Sequence, residues 1–294
     1  ALAIKVATAT ICARLSPSQK ERIILAMKKS GKVVGYLGDG INDAPALKAA
    51  DVGISVDNAV DIAKDSADII LVKKGLAEIM EGVIEGRRTF GNAMKYMLMS
   101  LSSNFGNMFS MIGAALFLPF LPMTASQILL NNFIYDVAQL SLPSDNVDAE
   151  YLAKPKQWNL KFMTRYMLVF GPISSLFDFF TFWILYNSMH LTGGAFQAGW
   201  FLESLATQVL VIYVIRTRKI PFLQSRPSSL LALTTVCAVF FALILVTTKL
   251  GQVFGFAALS FGTIGLIATL VVSYLIIVEA AKQIFYRKFH QPDA

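Results

Sequence analysis

The chain has 294 residues, of which 55% are hydrophobic and only 15% charged, and its net charge is +7. A soluble globular domain averages about 25% charged residues, so one soluble domain does not fit this composition. The basic residues stand in short clusters between apolar segments, which sets aside nucleic acid as a partner. Cys12 and Cys237 lie far apart, with no metal-ligand spacing and no disulfide framework. No secretory signal opens the chain, and Ala1 to Ala13 reads as the inside of a domain, so a truncated start is expected.

Up to about Arg88 the pattern is that of an α/β domain. Ser16 to Met27 predicts an amphipathic helix, with Ser16-Pro17 as N-cap and first turn and Ile23, Ile24 and Met27 at helical spacing. Val33–Leu37, Val52–Val56 and Ala67–Val72 predict three buried strands. Such alternation implies a parallel sheet with helices on both faces, a fold that binds ligands at the carboxyl ends of its strands. Directly after the first strand stands Gly38-Asp39-Gly40-Ile41-Asn42-Asp43-Ala44-Pro45-Ala46-Leu47. Gly38 and Gly40 allow a tight turn with backbone close to a ligand. Asp39 and Asp43 offer the hard carboxylate oxygens that suit Mg²⁺. Asn42 can donate to phosphate oxygens, and Lys20 can reach the same strand ends as a cation for phosphoryl charge.

Beyond Arg88 long apolar stretches dominate. Roughly 20 apolar residues cross a bilayer as a helix, and six candidate spans follow: Ala93–Leu118, Ala125–Pro143, Tyr166–Met189, Ala198–Ile215, Leu230–Lys249 and Phe256–Ile277. Basic residues cluster before the first (Lys73, Lys74, Arg87, Arg88), between the second and third (Lys154, Lys156, Lys161, Arg165), between the fourth and fifth (Arg216, Arg218, Lys219, Arg226) and after the sixth (Lys282, Arg287, Lys288). The positive-inside rule makes all these segments cytosolic, and an even number of spans places both ends there. A soluble all-helical core would leave the clusters without a cause.

Polar residues inside spans are costly and mark transport paths. Ser103, Asn104, Asn107 and Ser110 in the first span fall at i, i+1, i+4 and i+7, on one helical face, and Asn132, Asp136 and Gln139 in the second fall at i, i+4 and i+7, also on one face. If the two helices are neighbours, one carboxylate and several amide oxygens converge. That oxygen-only set suits Mg²⁺ or Ca²⁺ and not copper or zinc. Glu203, with Thr207 one turn on, reads as an auxiliary ligand or a proton carrier, and Asp178 as an interhelical hydrogen bond.

Gly38 to Leu47, continued by Lys48, Ala50, Asp51, Val52, Gly53 and Ile54, resembles the hinge signature of P-type ATPases, within the haloacid dehalogenase superfamily. Ser16-Pro17-Ser18-Gln19-Lys20 resembles their upstream lysine motif. The resemblance implies a partial Rossmann-like, haloacid dehalogenase-type domain over 1–90, then an all-α membrane domain of six transmembrane helices over 91–294, equivalent to the last six spans of a pump. It implies that Asp39 binds the catalytic Mg²⁺, that Asp43 supports that site, that Asn42 contacts the phosphoryl group and that Lys20 neutralises it. It also implies ATP as cofactor, bound by a part of the pump preceding these residues. Asn104, Asn107, Asn132 and Asp136 land on cation-ligand positions of the family. Calcium pumps typically carry glutamate at the position of Asn107, and fewer carboxylates suit a cation that keeps part of its water, as Mg²⁺ does. The runs Leu129–Pro143, Gly199–Ser204 and Ile215–Arg218 resemble the bacterial magnesium-transporting branch, so ATP-driven Mg²⁺ import across the plasma membrane is the favoured expectation. The alternatives are a calcium or other cation pump, or an inactive membrane-anchored fragment. No Asp-Lys-Thr-Gly-Thr string occurs in the chain, so these residues alone are expected not to form a phosphoenzyme. Membrane lipids are the other expected partner, through the basic segments.

Overall fold

The computed structural model describes residues 2–73 and 75–289, so Lys74 of the first basic cluster lies outside the described residues. The chain divides into two compact units, Ala1–Val83 and Ile84–Ala294.

In the first unit α1 (Leu2–Thr8) is followed by α2 (Pro17–Lys29). Ser16 begins α2 as a capping box: its hydroxyl accepts from Gln19 N at 3.3 Å while the Gln19 side chain accepts from Ser16 N at 2.9 Å. Pro17 fits the first turn, where its missing N–H costs nothing. The remaining elements are β1 (Gly35–Leu37), α3 (Ala44–Ala49), β2 (Val52–Val56), α4 (Asp61–Lys64) and β3 (Ile69–Leu71). All three strands are parallel in the order β1-β2-β3, with Gly35 opposite Val52 and Ile54 opposite Ile69. β1 is shorter than the expected Val33–Leu37 because Val34 N donates to the Asp51 carboxylate at 2.9 Å. Leu47, Val56, Ala59 and Ala63 form one buried cluster, and Ile24, Val34 and Ala46 another.

The helices of the second unit are α5 (Leu76–Phe117, which begins in the first unit), α6 (Ala125–Gln139), α7 (Ala149–Leu152), α8 (Leu160–Trp183), α9 (Gly193–Ile215), α10 (Ser229–Thr247) and α11 (Phe261–Lys288). A π turn at Ile184–Ser188 extends α8. Among the described residues four helices are long and apolar enough to cross a membrane: α8 with its extension, α9, α10 and α11. The other two expected spans differ for identifiable reasons. α6 has 15 residues, about 22 Å at 1.5 Å per residue, short of the ~30 Å hydrocarbon thickness. It stops before Pro143, which lies in a 3₁₀ turn at Leu142–Ser144 and has no N–H to continue the ladder. α5 has the length but carries Ser100, Ser102, Ser103, Asn104, Asn107 and Ser110 in its apolar stretch. α8 starts earlier than expected because Asn159 caps it, accepting from Phe162 N at 2.8 Å. α11 starts later than Phe256 because Gly255 turns left-handed (φ +80°) and Ser260 then caps the helix.

α9 is the central helix. It is almost wholly buried, whereas only about a third of α8, α10 and α11 is. Leu233, Val236 and Phe240 of α10 and Val272 and Ile276 of α11 are exposed, as an apolar surface facing hydrocarbon would be. At the basic end the segments converge on Asp145. Its carboxylate accepts from Lys95 Nζ at 2.6 Å, Arg216 Nε at 2.8 Å and Ser228 N at 3.0 Å. This joins α5, the α6–α7 connection, the end of α9 and the start of α10. Lys282 of α11, fully buried, donates to Val214 O at 3.0 Å and Lys219 O at 2.9 Å and so closes the C-terminus of α9.

Removing one member of a buried charge cluster strands the others. Asp145→Ala leaves two buried cations unpaired and is expected to destabilise the second unit by about 3–5 kcal/mol. Asp145→Asn is expected to cost less, because it still accepts from Ser228 N. Thermal unfolding of the full-length protein in detergent checks the order, and equal stability of Asp145→Ala and the parent would refute the role of the cluster.

Candidate functional site

The first site lies where β1 ends. The strand delivers Tyr36, the turn after it delivers Gly38 to Asp43, and α2 brings Lys20. Asp43 is the hub. Its Oδ1 accepts from Lys20 Nζ at 2.7 Å and from Tyr36 Oη at 2.6 Å, and its Oδ2 accepts from Gly40 N at 3.2 Å. Burial alone would raise the Asp43 carboxyl, but the bonds from Lys20, Tyr36 and Gly40 outweigh it and hold the group below the usual carboxylate range. The bond to Asp43 conversely raises Lys20, keeping it charged. Burial, then Asp43, pushes the Tyr36 phenol up, so it stays a donor. Gly38 is required by close approach: a Cβ there would stand 2.4 Å from Asp43 Cβ. Its carbonyl accepts from Ser55 Oγ at 2.9 Å, which ties the turn to β2.

Asp39 and Asn42 are exposed at the rim of this turn. The Asp39 carboxylate takes part in no hydrogen bond or ion pair among the described residues, so it is free to accept a ligand, while Asp43 is already engaged. A group of three or more His, Cys, Asp and Glu side chains able to hold a metal is absent among the described residues. Two carboxylates without a cage fit Mg²⁺, which is commonly held by one or two carboxylates together with phosphate oxygens and water. Of the six residues singled out in the sequence, the structure joins Lys20, Asp43 and the two glycines and leaves Asp39 and Asn42 open to solvent. Tyr36 was missed. Its polar tip on an otherwise apolar strand, two residues before Gly38, was the available signal.

The second group lies in the helix bundle. Tyr135 Oη donates to Ser103 Oγ at 3.3 Å, and Ser100 Oγ to Gln139 Oε1 at 3.5 Å, so α5 and α6 run side by side and antiparallel. In that register Asn107 is level with Asn132, and Asn104 stands close to the level of Asp136. The expected single polar face of α5 divides, however: Ser103 and Ser110 are buried whereas Asn104 is exposed. A helix turns about 100° per residue, so Ser103 and Asn104 cannot share an aspect. α6 divides likewise, with Gln139 buried and Asn132 and Asp136 exposed. Asn107 is half-buried, and its Oδ1 accepts from Gln208 Nε2 at 3.3 Å. Gln208 also donates to Ser204 Oγ at 2.6 Å, and Asn131 Nδ2 approaches Ser204 Oγ at 3.4 Å. Asn131 of α6 was not foreseen, and neither were Ser204 and Gln208, because α9 is so apolar throughout that its polar residues show no periodic face. Glu203 lies beside Asp178, whose carboxylate also accepts from Ser110 Oγ at 2.6 Å and Trp200 Nε1 at 2.7 Å. The expected interhelical role of Asp178 is present in these bonds, and Thr207 turns its hydroxyl back to Glu203 O at 2.9 Å.

A strand end that carries a lysine–carboxylate pair, and membrane-length helices that hold polar side chains, define a membrane protein with a small α/β unit on the same chain. Residues 120–284 match the family described as "Cation transporting ATPase, C-terminus", and the chain belongs to that family. It is 46% identical over 293 residues, 98% of its own length, to a "Magnesium-transporting ATPase, P-type 1" of Salmonella typhimurium. It is 46% identical over 284 residues, 95% of its length, to the protein of the same name in Escherichia coli. A calcium-transporting ATPase of Listeria monocytogenes is 39% identical over 134 residues, 46% of this chain and 15% of that protein. The chain spans 32% of the length of each of the two magnesium-transporting relatives.

The pH dependence of the first unit follows from Asp43. A carboxyl held below its unfolded value of about 3.9 stabilises the fold above that value, and this stabilisation is lost as pH falls through the lowered value. Lys20→Met removes the main stabilising partner, at a cost of about 1 kcal/mol for a pair that is partly exposed. Hydrogen exchange of β1 and α2 in the full-length protein, followed on acidification, is expected to show opening at higher pH in Lys20→Met than in the parent.

Proposed function

We propose that this chain is the C-terminal part of a P-type ATPase that imports Mg²⁺ across the bacterial plasma membrane at the expense of ATP. The observation that carries the proposal is the pairing of α5 with α6, which sets Asn104 and Asn107 at about the levels of Asp136 and Asn132. This set holds one carboxylate and three amide oxygens. It is an all-oxygen environment with little charge, suited to a cation that sheds its water reluctantly. Glu203 is left out of the set, since its carboxyl is engaged beside Asp178. Asn104, Asn132 and Asp136 lie on an exposed surface of the chain. A carboxylate facing hydrocarbon would be expensive, so in the whole pump this surface meets protein, water or the transported ion.

The first unit serves the phosphoryl group. Bound Mg²⁺ would neutralise charge on the transferring phosphoryl oxygens, with Asp39 as the residue free to hold it. Lys20 is fixed by Asp43 at the strand end, where its charge offsets that of the phosphoryl group. Asn42, on the same turn, donates to a phosphoryl oxygen. ATP and the phosphorylated aspartate belong to parts of the pump outside these residues. The fold of the first unit is of the haloacid dehalogenase type, and the bundle crosses the membrane six times, counting α5 and α6. The basic segments between spans are cytosolic, as are both ends of this chain, and they lie at the level of anionic headgroups.

Full-length protein reconstituted in lipid tests the assignment, with flux and ATPase activity measured at fixed Mg·ATP. Asp136→Asn is expected to abolish Mg²⁺ flux while phosphorylation by inorganic phosphate survives, since that reaction uses only the cytosolic site. Unchanged flux would make Asp136 structural and refute the site. Movement of Ca²⁺ instead of Mg²⁺ would keep the family and overturn the ion.

A further inference from the structure

Among the described residues, Asp178 on α8 and Glu203 on α9 form the one carboxyl pair in the apolar interior that the transport reading does not use. Both are almost completely buried, at 3% and 1% exposure. Asp178 is well supplied with donors, Ser110 Oγ on one oxygen and Trp200 Nε1 on the other. Glu203 is not: its Oε2 is buried without a hydrogen-bond partner, although its carboxyl stands beside that of Asp178. The other titratable group facing the pair is the phenol of Tyr274 on α11. From α5 the pair meets only the neutral Ser110, and among the described residues no lysine or arginine forms an ion pair with either acid.

Two adjacent carboxylates without a cation cannot both be ionised in a medium of low dielectric, because desolvation and mutual repulsion add. A buried acceptor with no donor is likewise costly. A single proton removes both difficulties. Placed between the two carboxyls, it halves the charge and supplies the hydrogen bond that Glu203 lacks.

We propose that Asp178 and Glu203 form a proton-binding site inside the membrane bundle, one proton being shared between the two carboxyls in an O–H···O bond that joins α8 to α9. Ser110 and Trp200 orient Asp178 as the accepting partner, and Glu203 carries the proton on the oxygen that has no other partner. The site is separate from the Asn132 and Asp136 set, and it depends on the burial of α8 and α9 and not on which cation the pump moves. Because Ser110 lies one turn beyond Asn107 on α5, the occupancy of the site is felt by the helix that bears the amide ligands.

Infrared spectroscopy of the full-length protein in lipid vesicles tests this directly. The expected result is a protonated-carboxyl band that persists at neutral pH, shifts in D₂O and disappears in both Glu203→Gln and Asp178→Asn, because either change removes the shared O–H···O unit. A band unaffected by both changes, or two bands each lost in one variant only, would overturn it. Glu203→Gln keeps the shape and neutrality of the protonated acid, and its amide still donates to Asp178. It is therefore expected to accumulate and unfold like the parent, and failure to fold would also count against the site. Loss of Mg²⁺ transport through Asp136→Asn leaves the band in place, so the two proposals fail independently.

Discussion

The interior of the bundle is apolar, and whatever polar group enters it must bring its partner along. α9 is where this constraint bears hardest, since it is covered on nearly every side and yet carries Glu203, Ser204, Thr207 and Gln208, with Arg216 as its C-cap. Thr207 returns its hydroxyl to its own helix, to Glu203 O and Ser204 O. Gln208 and Ser204 reach Asn107 of α5 and Asn131 of α6, Glu203 meets Asp178 of α8, and Arg216 meets Asp145. These bonds fix the rotation of α9 against α5, α6 and α8, something that apolar packing alone leaves loosely specified.

The partners differ in strength along the helix. At the basic end Asp145 is held by two cations and a backbone N–H, with each bond charge-assisted. Burial would raise its carboxyl, but Arg216 and Lys95 outweigh that and hold it ionised. In the middle the link from α9 to α5 is a neutral amide pair at 3.3 Å, of a kind worth about 0.6 kcal/mol inside membrane bundles. The direct contact of α9 with α5 in the middle of the bundle is therefore weaker than the charged cluster at the basic end.

Much of this was legible in the sequence. The turn from Gly38 to Leu47, the parallel strand order and the helix cap at Ser16 depend on local chemistry, and each appears where the pattern put it. Span ends were less legible. Asn159 and Ser260 decide where α8 and α11 begin, and hydrophobicity does not register a cap. The polar faces were read only in part, because a listing of positions at i, i+1, i+4 and i+7 does not say which neighbours a helix has. Ser103 and Ser110 turned inward and Asn104 outward for that reason. Tyr36 and Gln208 belong to their sites through contacts across the fold, with Asp43 and Asn107 respectively, and no spacing along the chain announces such contacts.

The three membrane-domain acids show how far residue type underdetermines role. Asp136 is exposed on α6, with Asn132 one turn away, and its carboxylate makes no hydrogen bond or ion pair among the described residues. Such a group is expensive against hydrocarbon and cheap against water, protein or an ion. Asp178 and Glu203 stand within the same bundle but in its closed interior, against a tryptophan, a serine and each other. No divalent ion could be satisfied there by two carboxyls already crowded by a Trp200 indole and a Ser110 hydroxyl, since Mg²⁺ demands six oxygens in near-octahedral order. A proton needs only the two. An open acid and a closed pair thus suit different partners, a difference that follows from coordination number and burial.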